Sequence, residues 1–251
     1  MDATTLIIVA GAIIAGFVQG LSGFAFTMTA MAIWAWTIDP QLATATAVFG
    51  GMAGQMFGAI LMRRDLDLKL LAPLLIGAAI GMPIGVAILP NLDAHLFKTI
   101  LGAMLAVCCT VMLLADRFPP VRTTGHLGNG VVGFIGGVMG GIGGFTGITP
   151  TLWYTLRRFE KERLRAVVQN FNLVVLTATM IAYFVSGNAT AAMIPTFAIV
   201  FPAMMIPWWL GSKVYLGISD RTFRRVVLGL LALSGVAMLV SSLPRVIANL
   251  Y

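Results

Sequence analysis

Long stretches without charge, cut by short polar clusters, set the plan of this chain. The first covers about Thr5–Trp36. As one helix it would be about 48 Å long, against a hydrocarbon core of about 30 Å. A break near Gly20–Gly23 is therefore expected, folding the stretch into a hairpin of two short half-helices that Asp39-Pro40 ends. Apolar helices are then expected over about Gln41–Met62, stopping at Arg63-Arg64, over Leu70–Leu89, kinked by Pro73 and Pro83, and over Leu96–Ala115. Asp116–His126, with Pro119-Pro120, reads as a polar connection.

The pattern then restarts. A second overlong stretch covers Leu127–Leu156, followed by a basic connection, Arg157–Arg165. Helices are expected over Ala166–Val185, over Ala192–Leu210, broken or bent by Pro195, Pro202 and Pro207, and over Phe223–Leu243. The second long stretch contains Gly133–Pro150, GFIGGVMGGIGGFTGITP. Lipid leaves no backbone group unpaired. Such a segment is either a helix packed very closely on its neighbours or a broken helix lining a protected cavity.

An internal repeat follows from the restart. GFVQGLSGFA (16–25) aligns with GFIGGVMGGI (133–142), and DAHLFKTILG (93–102) with DRTFRRVVLG (220–229). Gly85 corresponds to Gly211. The expected organisation is one transmembrane domain, 1–251, with repeats of about 5–116 and 126–245.

Composition agrees with a membrane protein. The hydrophobic fraction is 59%, only 10% of residues are charged, and mean hydropathy is +0.96. A soluble domain needs far more charged surface. The net charge of +7 is read as loop anchors rather than a nucleic-acid surface. Cys108 and Cys109 are adjacent, which is not metal-ligand spacing. The start, MDATTLIIVAG, has no basic n-region and reads as a first membrane segment.

Charge also sets the expected topology. The basic clusters are Arg63, Arg64 and Lys69; Arg117 and Arg122; Arg157–Arg165; and Lys213, Arg221, Arg224 and Arg225. All four fall on one side only if both overlong stretches enter and return. That arrangement places the N-terminus outside, gives three full crossings per half, and inverts the halves. Lys98 and Arg245 are minor exceptions.

Inverted repeats with broken helices are a transporter signature. Half-helix N-termini offer free N–H groups and a positive dipole end, suited to an anion. The candidate binding residues at the first break are Gln19, Ser22 and Thr27, with Gln55 on the next helix. At the second break they are Gly143, Gly144, Thr146 and Thr149. Asn170 and Asn172 are added from the helix that follows, although two residues apart they face different ways, and Arg165 is placed at its mouth. Every Asp and Glu lies at a segment end or connection, so no carboxylate is placed for a mid-membrane relay or Na⁺ site. No Walker motif, metal constellation or catalytic triad occurs, so no enzyme activity, cofactor or metal is expected.

GFVQGLSGFAF (16–26), GGVMGGIGGFTGITPTLWYTLRR (136–158) and RAVVQNFN (165–172) resemble the sulfite exporter TauE/SafE family of membrane proteins. The resemblance covers essentially the whole chain. It implies movement of sulfur-containing anions, such as sulfite, sulfonates or sulfoacetate, across the bacterial inner membrane. The combined expectation is an all-α multi-pass membrane protein of about eight hydrophobic segments, an inverted-repeat bundle with two glycine-rich re-entrant helices. It would export small anions by alternating access, with the site between the breaks. A carrier of another organic anion such as a carboxylate, and a non-transporting assembly subunit, are the alternatives. Its partners would be a small anionic substrate and the lipid bilayer, with no nucleic acid and with a homodimer left open.

Overall fold

The computed structural model describes residues 2–61, 66–117, 119, 121, 125–214 and 220–248. Arg63, Arg64, Asp65, Pro120 and Arg122 lie outside the described residues. So do the side chains of Asp116, Lys161, Asp220, Arg221, Arg224, Arg225 and Arg245. Ten α-helices and no strand are found among the described residues. In the first half these are α1 (Ala3–Ser22), α2 (Phe26–Trp34), α3 (Pro40–Leu61), α4 (Leu68–Ile88) and α5 (Ala94–Leu114). The second half has α6 (Gly125–Gly143), α7 (Ile148–Leu156), α8 (Lys161–Ser186), α9 (Ile194–Val214) and α10 (Asp220–Ala248). Seven of them, α1, α3, α4, α5, α8, α9 and α10, are long and apolar enough to cross a membrane. The protein is an all-α multi-pass membrane fold.

Both overlong stretches are broken hairpins. Gly23 ends α1 with φ 88° and Gly144 follows α6 with φ 75°, a left-handed turn that costs glycine little. The chain then returns to the end it came from. Trp34 Nε1 donates to the Ile7 carbonyl at 3.3 Å, and Trp153 Nε1 donates to Asn129 Oδ1 at 2.9 Å. The limbs are unequal, contrary to the two short half-helices expected. The outgoing limbs α1 and α6 have 20 and 19 residues; the returning α2 and α7 have 9 each. An outgoing limb of that length, about 30 Å, is held along its whole course by a partner helix from the other half.

That partnership explains the glycines. Gly16 and Gly20 of α1 lie against the Met204 and Trp208 carbonyls of α9. Gly137 and Gly141 of α6 lie in the same way against Ala78 and Met82 of α4. A methyl group at any of these four would strike backbone, so only glycine permits the approach. The glycine stretch is thus both things that lipid allows: a tightly packed helix up to Gly143, then a break.

The seams also fix which residues correspond. Gly85 faces the Val138 carbonyl as Gly211 faces that of Phe17. Gly16 corresponds to Gly137, not Gly133, so the sequence alignment of 16–25 with 133–142 is slipped by one helical turn. Glycines four apart on both helices make such a slip nearly invisible in sequence. Where α5 and α10 cross, Gly102 packs on Gly235.

One helix boundary differs from expectation. The helix α8 begins at Lys161, so Arg163 and Arg165 belong to its first turns rather than to a connection. Glu162 in that first turn complements the helix N-terminus. Pro202 and Pro207 stand inside α9 without breaking it, as Pro73 and Pro83 do in α4. Neighbouring helices and local adjustment satisfy the carbonyls a proline frees.

Contacts define two ends of the bundle. At one, Gln41 Nε2 donates to the Gly187 and Asn188 carbonyls, both at 3.2 Å, and Lys98 lies 5.9 Å from the Trp36 ring centre. At the other, Arg163 pairs with Asp67 at 2.6 Å and Val121 N–H donates to the Leu156 carbonyl. The described cations Lys69, Arg117, Arg157, Arg158, Arg163, Arg165 and Lys213 gather at this second, basic end. Lys98 is the described exception. The long central helices α3 and α8 run antiparallel between the two ends.

Candidate functional site

The two breaks touch at the centre of the bundle. Thr27, the second residue of α2, donates its hydroxyl proton to the Gly144 carbonyl at 2.9 Å. A methyl at Gly147 would lie 3.0 Å from Phe24 Cβ and 2.8 Å from Asn172 Nδ2, so the tips interlock. Both short helices begin here. The N–H groups of a first helical turn have no acceptor within their helix. Two positive helix ends are therefore brought together.

At the first break Ser22 closes the turn. Its hydroxyl donates to the Val18 carbonyl at 2.7 Å and accepts from the Phe24 and Ala25 N–H groups at 3.3 and 3.2 Å. Gln55 Nε2 donates to the Gly23 carbonyl at 2.7 Å. Gln19 Nε2 donates to the Gly51 carbonyl at 2.9 Å, while its Oε1 is buried without a hydrogen-bond partner. These amides tie the break to α3.

At the second break Gly143 leaves room for the Phe145 ring. Thr146 donates to Asn172 Oδ1 at 2.7 Å, which ties the break to α8. Thr149 turns back along α6 to the Val132 carbonyl at 3.2 Å. Asn170 and Asn172 are both buried, and a helix puts them about 200° apart. Asn172 joins the tip contact; Asn170 lies on another face of α8.

Arg165 reaches the first break from α8. One guanidinium nitrogen donates to the Gly20 carbonyl at 3.2 Å, near the C-terminal end of α1. A cation there complements the negative end of that helix. Its Nε lies 3.2 Å from where a Gly23 methyl would be, beside the start of α2. The arginine is half-buried.

Three contributors are absent from the sequence-derived set. Gln169 stands beside Arg165 at Gly23, Phe24 packs on Gly147, and the Tyr183 hydroxyl donates to the Gly141 carbonyl at 2.6 Å near the end of α6. Gln169 was legible as one helical turn beyond Arg165. Phe24 and Tyr183 give no sequence signal, because each acts on a residue distant in the chain, Phe24 on Gly147 of the other half and Tyr183 on Gly141 of its own.

Beside the basic end, Asn129 Oδ1 accepts from Trp153 and from Arg157, the latter at 3.3 Å. The Arg157 guanidinium lies 5.2 Å from the Phe159 ring centre. Asp67 caps α4 by accepting from Leu70 N–H. Its hydrogen bond from Arg163 holds its carboxyl below the usual carboxylate range.

A family profile described as Sulfite exporter TauE/SafE matches residues 8–238. Among curated proteins none matches the chain.

Proposed function

We propose, from the premise that the chain belongs to the sulfite exporter TauE/SafE family, that it carries small sulfur-containing anions, sulfite or organosulfonates, out of a bacterial cell across the inner membrane. The site lies between the two breaks. The observation that carries this reading is the Thr27–Gly144 contact, which holds two half-helix N-termini together. Arg165 stands beside one of them and is the cation of the site. Dipole ends, amide N–H groups and a guanidinium suit an oxyanion and offer little to a cation.

Gln19, Thr27, Gln55, Gly143, Gly144, Thr146, Thr149 and Asn172 form or brace the site. Ser22 shapes its first turn, Asn170 supports α8, and Arg165 attracts the anion. The two halves act as an inverted pair, one about 5–116 and the other about 126–245, which rock about the shared tips to alternate access. The basic end faces the cytoplasm and the N-terminus the periplasm. The protein acts as a transporter without enzyme chemistry.

Flux into liposomes containing only this protein tests the reading. Sulfite and sulfonates should be carried and should compete with each other; carboxylates should compete poorly. Flux confined to carboxylates would overturn the substrate class. The absence of any flux would overturn the carrier.

A further inference from the structure

Each returning half-helix carries two threonines two residues apart: Thr27 and Thr29 on α2, Thr149 and Thr151 on α7. Counted from the first residue of its helix, each pair takes the second and fourth places. The first member of each pair is engaged, Thr27 with the Gly144 carbonyl and Thr149 with that of Val132. The second members are not. Thr29 and Thr151 are only 7% and 4% exposed, and neither hydroxyl has a hydrogen-bond partner.

Some helical threonines elsewhere satisfy themselves, while Thr44, Thr46 and Thr179 on α3 and α8 are buried without a hydrogen-bond partner, as Thr29 and Thr151 are. Thr99, Thr155 and Thr177 each donate to the carbonyl four residues back, at 2.9, 2.7 and 2.7 Å. Inside a membrane no bulk water takes up an idle hydroxyl. Valine has the same shape and would pack as well, so stability alone gives no reason for threonine at both places. Each hydroxyl stands one turn past its break, beside the positive end of its half-helix.

Building on the anion-carrier reading, we propose that Thr29 and Thr151 are a matched pair of substrate-binding hydroxyls that donate to the oxygens of the anion. They flank the tip contact. Thr151 lies toward the basic end and Thr29 toward the opposite end, so each serves the substrate on one side of the exchange. Further buried hydroxyls without partners are those of Thr44 and Thr46 on α3, Thr179 on α8, and Tyr154, one turn past Thr151 on α7. Neutral donors of this kind recognise an oxyanion without trapping it, which suits a site that must also release.

The test is the KM for radiolabelled sulfite in proteoliposomes, read beside the melting temperature of the purified protein. Thr29→Val and Thr151→Val should each raise KM about five- to tenfold, the value of one hydrogen bond. Neither should melt lower than the parent. Thr29→Ser and Thr151→Ser should keep the parental KM. Valine variants with parental KM would overturn the proposal and make both residues packing groups. If a valine variant does not fold, the cysteine variants ask the same question, and parental KM there is equally fatal. A parent protein that carries neither sulfite nor a sulfonate is a different result: it removes the anion-carrier reading, and this pair with it.

Discussion

The Thr27 hydroxyl of the first half donates to the Gly144 carbonyl of the second, 117 residues away, at 2.9 Å. Gly144 is held at φ 75°, and a methyl there would lie 2.8 Å from both Thr27 Cγ2 and Val48 Cγ2. Gly144→Ala therefore meets strain and crowding together and should lower the yield of folded protein sharply. Thr27→Val removes only the donor and leaves a buried carbonyl unpaired, at a cost of about 1–3 kcal/mol. It should fold, melt lower and transport with altered kinetics. Both are read by melting temperature and flux on the same preparations.

The glycine seams separate from ordinary helical glycine in one comparison. Gly141→Ala drives a methyl into the Met82 carbonyl and should force α6 from α4. Gly229 of α10 has nothing within 4 Å of an added methyl. Gly229→Ala should be neutral or stabilising by up to about 1 kcal/mol, from helix propensity alone. Thermal unfolding of the two variants checks the contrast.

Arg165 sits at the meeting point of the α1 C-terminus and the first break. Arg165→Gln keeps a donor for the Gly20 carbonyl but removes the charge. The expected result is a KM for anions raised about tenfold, with the steepness of salt inhibition reduced. An unchanged KM would confine Arg165 to helix capping.

The Asp67–Arg163 pair ties α4 to α8 at the basic end. Hydrogen bonding from Arg163 lowers the Asp67 pKa from its ordinary 3.8, so the folded state favours the carboxylate. The stabilisation is complete above that ordinary value and is lost as pH falls through the lower folded one. Asp67→Asn should therefore narrow the stability gap between pH 6 and pH 3. Melting temperatures of parent and variant across that interval measure it, and the effect should be small because the pair is partly exposed.

Much of this architecture is readable in sequence because lipid makes hydropathy and length decisive. The overlong stretches announce both breaks, and Gly23 lies at the edge of the interval expected for the first. The partners of the outgoing limbs are not legible. The α1 helix packs on α9 and α6 on α4, an exchange between halves that no local pattern records. The same glycine spacing that makes those seams possible also hides the register, so Gly137 is mistaken for Gly133. Arg165 was legible as a cation near a helix start, but its reach to Gly20 depends on a helix from the other half. Thr29 and Thr151 became comparable only once Gly23 and Gly144 fixed where each half-helix begins.

The central claim is an anion site without a carboxylate relay, and the dependence of sulfite flux on membrane potential tests it most directly. One negative charge moved outward from an inside-negative compartment gains about 2.3 kcal/mol per 100 mV. In proteoliposomes holding the purified protein, sulfite efflux should accelerate as the interior is made more negative and slow when the potential is reversed. Sulfite flux that ignores a clamped potential would contradict electrogenic export, and no flux of sulfite or of a sulfonate at any potential would contradict the anion site itself.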